Sequence, residues 1–280
     1  MFRRKLAEAA GVKLPSLILA ILLFLAPEAG AAQSLRLQLS GLRVRPIEAA
    51  SLFHTLFSDF SAERDGTVYV ETGDIPAMWL RDSSAQGMPY LRFSPFYPAI
   101  SRRLNGVIQR NARNVLVDPY ANAFTVAYHV WERKWEIDSL AWPAVFAWQY
   151  WTQTHDRALF TPVLRAALRA VVKTYACQQR HDRCAAYSYR YTTHSHDAYN
   201  AETGMIWGAF RPSDDAVAYR FNIPQQALVV VALADLAALA RDGYGDERLA
   251  QSAESIGERV QVGIERYGIV SRSDGRGSMY

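Results

Sequence analysis

Apolar residues recur at spacings of three and four along most of the chain. PIEAASLFHTLFSDFSAE (46–63), RLNGVIQRNARNVLV (103–117), DSLAWPAVFAWQYWTQ (138–153) and LFTPVLRAALRAVVKTYA (159–176) all read as amphipathic helices. ERLAQSAESIGERVQVGIERY (247–267) adds another. PQQALVVVALADLAALARDG (224–243) opens on Pro at a first helical position and closes on Gly. Its apolar residues nearly encircle it, which predicts a helix buried on most sides. Gln225, Gln226 and Asp235 argue against a membrane span there. Period-two alternation is rare: TVYVET (67–72) and AAYSYRYTT (185–193) are the two strand candidates. The pattern carries no short repeat or low-complexity linker, so no internal domain boundary is expected.

The first 32 residues stand apart. A basic start precedes LPSLILAILLFLA (14–26) and then the small residues of EAGAAQS (28–34), the layout of a signal peptide. Its apolar stretch is short for a bilayer span. Cleavage after Ala31 or Ala32 leaves a periplasmic or secreted protein without a stable membrane span; an uncleaved anchor is the other reading. This segment contributes half of the formal charge of +4, and no basic run follows it, so nucleic acid is not an expected partner. Cys177 and Cys184 are the only cysteines. In an exported chain they suit a disulfide worth about 2 kcal/mol, with two free thiols as the alternative. His181 does not complete a tetrahedral zinc set with them, and neither metal nor cofactor is expected.

The chemistry lies between the helices. GDIPAMWLRDSSAQ (73–86) places Asp74, Trp79, Arg81 and Asp82 ahead of Ser83 and Gln86, which fit a capping box and predict a helix start at that point. Taken alone, the loop could be structural, with Asp82 serving the helix N-terminus and Arg81 pairing with Asp74. Comparable loops recur, however. DPYANAF (118–124) holds Asn122; WERKWEID (131–138) brings Trp131, Trp135, Glu136 and Asp138; TGMIWGAFRPSDDA (203–216) brings Trp207, Arg211, Asp214 and Asp215. Aromatic faces beside carboxylates and guanidinium groups suit the C–H faces and hydroxyls of a sugar ring. Glycosidic cleavage further requires two carboxyl groups in different protonation states. Adjacent Asp214 and Asp215 are a place to look for a raised pKa, with Arg211 acting in the opposite sense.

These four motifs, in this order, resemble glycoside hydrolase family 125, whose members are exo-acting, inverting α-1,6-mannosidases that need no metal. The resemblance runs from about residue 46 to about residue 270. It implies an all-α fold, the (α/α)6 toroid of six helical hairpins with minor β-hairpin elements, incomplete at its C-terminus. It places the general acid at Asp214 and a mannose pocket at Asp74, Trp79, Arg81 and Asp82. Trp131, Trp135, Glu136, Trp207, Arg211 and Asp215 are further pocket candidates. The family's general base, a Glu, lies in a region matched to no residue here. Residues 33–270 are therefore expected to form the N-terminal portion of the toroid and 271–280 a divergent tail. A mannose-containing oligosaccharide is the implied partner, and a catalytically inactive mannoside-binding protein is the alternative.

Overall fold

A computed structural model describes residues 46–184, 187, 202–217, 219–271 and 278–279. The proposed signal segment lies outside these residues, as does all of the strand candidate 185–193 except Tyr187. The helices are α1 (Pro46–Ser58), α2 (Leu80–Gly87), α3 (Pro98–Val117), α4 (Ile137–Thr154), α5 (Pro162–Gln178), α6 (Ile223–Tyr244) and α7 (Glu247–Tyr267). From α2 onward they alternate between two rows. In one row α2 packs on α4 and α4 on α6; in the other α3 packs on α5 and α5 on α7. α6 and α7 form a tight hairpin linking the rows. The result is the helical-hairpin fold of a six-hairpin toroid, with a continuous core running between the rows.

The rows follow from sequence pattern. α3 and α7 carry an apolar stripe on one side and charge on the other. α6 is apolar almost all round and is held between α4 and α7, with Val229, Leu233, Leu236 and Leu239 fully buried. Asn222 caps it by accepting from the Gln225 N–H at 3.1 Å. The helix runs past Gly243 to end at Gly245, whose φ of +58° is the left-handed C-cap. Gly243 has a different task. A Cβ there would lie 1.9 Å from the Phe160 ring, so the missing side chain admits the α4–α5 connection.

Three local expectations change. The helix predicted over 46–63 stops at Ser58, and β1 (Phe60–Ala62) instead pairs antiparallel with β2 (Val68–Val70). Phe60 is drawn into the core, where it meets the edge of Tyr90 at 5.7 Å. β2 is buried on both sides despite its alternating sequence, because α3 covers it. The capping box is also misplaced. α2 begins at Leu80, and the hydroxyls of Ser83 and Ser84 donate inside the helix to the Leu80 carbonyl. Gln86 bonds Asp59 instead of reaching back to Ser83. Both serines are buried against Asn111 of α3, so tertiary bonds displaced the local cap. Finally, the chemistry-bearing loops are not irregular throughout. β3 (Met78–Trp79), β4 (Ala123–Phe124) and β5 (Val130–Glu132) form a three-stranded antiparallel sheet that ties them together.

Candidate active site

The N-terminal ends of α2, α4 and α6, the neighbouring helices of one row, converge. Arg81 stands in the first turn of α2, Glu136 at the N-cap of α4, Asp138 in its first turn, and Gln225 in the first turn of α6. The positive ends of the helix dipoles favour carboxylates at such positions. Arg81 Nη1 lies 2.8 Å from Glu136 Oε2 and 3.6 Å from Asp138 Oδ2, while its Nη2 lies 3.3 Å from Asp82 Oδ2. Gln225 Nε2 donates to Asp138 Oδ1 at 2.7 Å, joining α6 to α4. Ser139 donates to Glu136 Oε2 at 2.8 Å. The cation at the centre of these carboxyls is the guanidinium itself.

Asn122 fastens the loops to this centre. It is fully buried, and its Nδ2 donates to Glu132 Oε2 at 2.7 Å and Asp214 Oδ1 at 3.1 Å. Its Oδ1 accepts from the Lys134 N–H, its carbonyl from Leu80 and its N–H bonds the Glu132 carbonyl. One side chain and its peptide thus register the start of α2, strand β5 and the 211–216 loop together. Asp214 adopts φ +61°, a left-handed conformation that Asp tolerates better than most side chains. The turn is closed by Asp214 N–H to Arg211 O, at 3.0 Å, and by bridges from Phe210 to Glu136 and Ala216.

Charge and burial decide the protonation states. Glu136 has no solvent exposure, and burial pushes its carboxyl up to about 9, helped by a hydrogen bond to the Asp214 carboxyl and opposed by Arg81. One guanidinium cannot neutralise this many carboxyls, which is why burial prevails at Glu136. Burial likewise raises Asp138, against the pull of Gln225 and Arg81. For Arg81, burial opposes the charge, but Glu136, Asp82, Asp138 and Asp214 outweigh it and hold the guanidinium protonated. Lys134 is also held charged against its burial, by Glu132 first and then Asp214.

The remaining sequence-predicted residues fall into two groups. Trp135 is 1% exposed; its indole N–H is spent on the Trp207 carbonyl at 2.8 Å, and its ring meets Tyr120 at 5.2 Å. Trp207 is buried too, stacked on His181 at 3.6 Å with Arg220 over its ring. Both tryptophans are wall rather than lining, because their faces are filled by other side chains of this chain. Such edge contacts add about 0.5–1.5 kcal/mol beyond burial. The second group lies outward. Trp79 is half-buried, whereas Asp74 and Trp131 are exposed. Among the described residues, no bond joins Arg81 to Asp74. Arg211 and Asp215 pair with each other at 3.7 Å on the exposed rim, and Asp215 also accepts from Ser213. The like-charge partner of Asp214 is therefore Glu136, not its neighbour Asp215, whose side chain turns away to the rim. Asp138 and Asn122, noted in the motif loops but not among the pocket candidates, complete the cluster together with Ser139 and Gln225. The signals available were an acidic residue in a first turn and a glutamine opening an otherwise apolar helix.

Behind the site, Cys177 and Cys184 are joined in a disulfide with Cα atoms 5.5 Å apart. The Tyr120 hydroxyl rests against both sulfurs, so the bridge backs the ring that Trp135 packs on.

Known proteins resemble this chain in sequence and fold. The profile of the metal-independent alpha-mannosidases (GH125) matches residues 47–280, including the tail set apart above. A Schizosaccharomyces pombe protein, meiotically up-regulated gene 157 protein, is 31% identical over 242 residues, covering 72% of this chain and 47% of its own length. A solved Streptococcus pneumoniae metal-independent alpha mannosidase, in a non-productive substrate complex with alpha-1,6-mannobiose, is 31% identical with a TM-score of 0.74. That match covers 82% of this chain and 59% of the pneumococcal one, so the chain spans roughly half the length of the proteins it resembles. By the extent of the profile match, this chain belongs to the metal-independent alpha-mannosidase family, GH125.

Proposed function

We propose that the chain acts as an inverting exo-α-1,6-mannosidase, removing terminal mannose from mannose-containing oligosaccharides without a metal. Family membership supplies the coarser part, a mannosidase-like glycoside hydrolase. The α-1,6 linkage is taken from the mannobiose bound to the pneumococcal relative. The observation that carries the reading is the meeting of Asp214 with a buried Arg81–Glu136–Asp138 cluster at three helix N-termini. In this reading Arg81 and Asp82 bind adjacent ring hydroxyls, and Trp79 faces the ring. Asp214 protonates the leaving oxygen as the C1–O bond breaks. Water adds from the opposite face and gives its proton to a carboxylate base.

The alternative is a mannoside-binding protein without turnover. One experiment separates them. The parent and Asp214→Asn are given α-1,6-mannobiose, and both free mannose and binding heat are measured. Mannose release by the parent, reduced at least about a hundredfold in the variant with affinity kept, is the expected result. Binding without release in the parent supports the binding reading; absence of saturable binding overturns both. Export to the periplasm or beyond is part of the same proposal, supported by the Cys177–Cys184 disulfide.

A further inference from the structure

Asn122, from the 118–124 motif, has no solvent exposure and so does not line a sugar pocket, but its whole amide is spent on the site. Its Oδ1 accepts from the Lys134 N–H at 3.1 Å. A backbone N–H can only donate, so this bond fixes the sense of the amide and turns Nδ2 the other way. The Nδ2 hydrogens go to two carboxyls, Glu132 Oε2 at 2.7 Å and Asp214 Oδ1 at 3.1 Å. Glu132 has a second partner in Lys134 Nζ at 2.8 Å. The backbone of Asp214 is set by its own turn, with φ +61° and its N–H bonded to the Arg211 carbonyl at 3.0 Å. That turn fixes where the side chain starts but not how the carboxyl is rotated, because the terminal torsion of an aspartate is broad and roughly two-fold. The Asn122 amide supplies what the turn leaves open, a donor that selects one oxygen. Its own peptide is anchored on both sides, the N–H to the Glu132 carbonyl at 3.2 Å and the carbonyl to the Leu80 N–H at 3.0 Å.

We propose that Asn122 is a positioning residue for glycoside cleavage, holding the Asp214 carboxyl by Oδ1 so that Oδ2 presents the proton to the leaving group. The proposal rests on the mannosidase reading above, with Asp214 as the acid. An oxygen that accepts from Nδ2 serves as the carbonyl oxygen of the acid, which leaves the proton to Oδ2. In the step, the Oδ2–H bond breaks as its proton goes to the glycosidic oxygen, which keeps the electron pair of the C1–O bond. Asn122 gives up no proton and needs none returned. Its bond to Oδ1 becomes charge-assisted as Asp214 turns into a carboxylate, and such bonds are shorter and stronger than neutral ones. The amide therefore contributes more in the transition state than in the bound substrate, which is the condition for raising kcat.

The test uses two variants of the full chain and two substrates. Asn122→Asp is isosteric and still accepts from the Lys134 N–H, but its carboxylate offers Asp214 no donor; Asn122→Ala removes the donor without adding charge. With α-1,6-mannobiose, both should lose at least about tenfold in kcat with KM unchanged, since Asn122 does not touch the sugar. With 2,4-dinitrophenyl α-mannoside, whose leaving group needs no proton, kcat should match the parent within about twofold. Equal losses on both substrates would mean a merely structural role and overturn the proposal. If the parent cleaves neither substrate, the mannosidase reading fails separately. In that case, or if neither variant folds, the inference is decided by ¹H–¹⁵N NMR of the Asn122 side-chain amide in the parent and in Asp214→Ala. Loss of the acceptor should move one of the two amide protons upfield and speed its exchange with water, which supports the hold on Asp214. An amide signal unaltered by Asp214→Ala overturns it.

Discussion

At the helix N-termini, Arg81 faces the buried carboxyls of Glu136 and Asp138 and the half-exposed carboxyl of Asp82. Where α6 turns into α7, at the opposite end of α6, Arg241 bonds Glu247 and Glu254, and Asp246 lies between Arg165 and Arg169. The residue types are the same, but the physical outcome is opposite. Asp246 is held down to about 2 by hydrogen bonds from its two arginines, whereas burial pushes Glu136 up to about 9. In the exposed network, cations meet the carboxylates and water screens the rest. In the enclosed one, carboxyls outnumber the cation and water cannot make up the difference. Salt bridges in this fold therefore identify a site only where burial leaves the charge unmatched.

That contrast can be broken most severely at its centre. Arg81→Met leaves Asp138 and Glu136 enclosed without their cation and should cost about 3–5 kcal/mol, read as a lower urea midpoint. Arg241→Met, the same change in the exposed network, should leave the midpoint at the parent's value. Equal effects of the two substitutions would erase the distinction.

A smaller effect tests the proton on Glu136. Below its ordinary value of 4.5 both folded and unfolded chains hold this proton; from there to about 9 only the folded chain does. The contribution of Glu136 to stability is thus fully present at low pH and is lost as pH rises toward 9. Glu136→Gln should narrow the difference in unfolding free energy between pH 5 and pH 9 by more than about 1.4 kcal/mol, the worth of one pKa unit. An unchanged difference would place the ionised carboxylate in the folded chain.

Much of this molecule was legible in the sequence, and the exceptions have physical causes. The spacing of apolar residues gave α3 to α7, because each buries a stripe whose period is local information. The start of α2 was misread because Ser83 and Gln86 could cap a helix but found better partners in Asn111 and Asp59. β3 and β4 are two residues long and have no period at all. The four motif loops pointed to the site, and Arg81, Asp82, Glu136 and Asp214 do meet there. Which aromatics would be wall was not legible, since Trp135 and Trp79 differ only in what covers them. Nor could the Asp138–Gln225 bond be foreseen, as it joins helices far apart in the chain.

The most direct measurement is a calorimetric titration of α-1,6-mannobiose into three proteins: the parent, Arg81→Lys and Arg241→Lys. Lysine keeps the charge but loses the planar fork that suits paired hydroxyls and carboxylates. Saturable binding to the parent is expected, weakened at least about tenfold by Arg81→Lys and unaltered by Arg241→Lys. Parent-like affinity in Arg81→Lys, or no saturable heat with the parent, would contradict the assignment of the buried cluster as the sugar site.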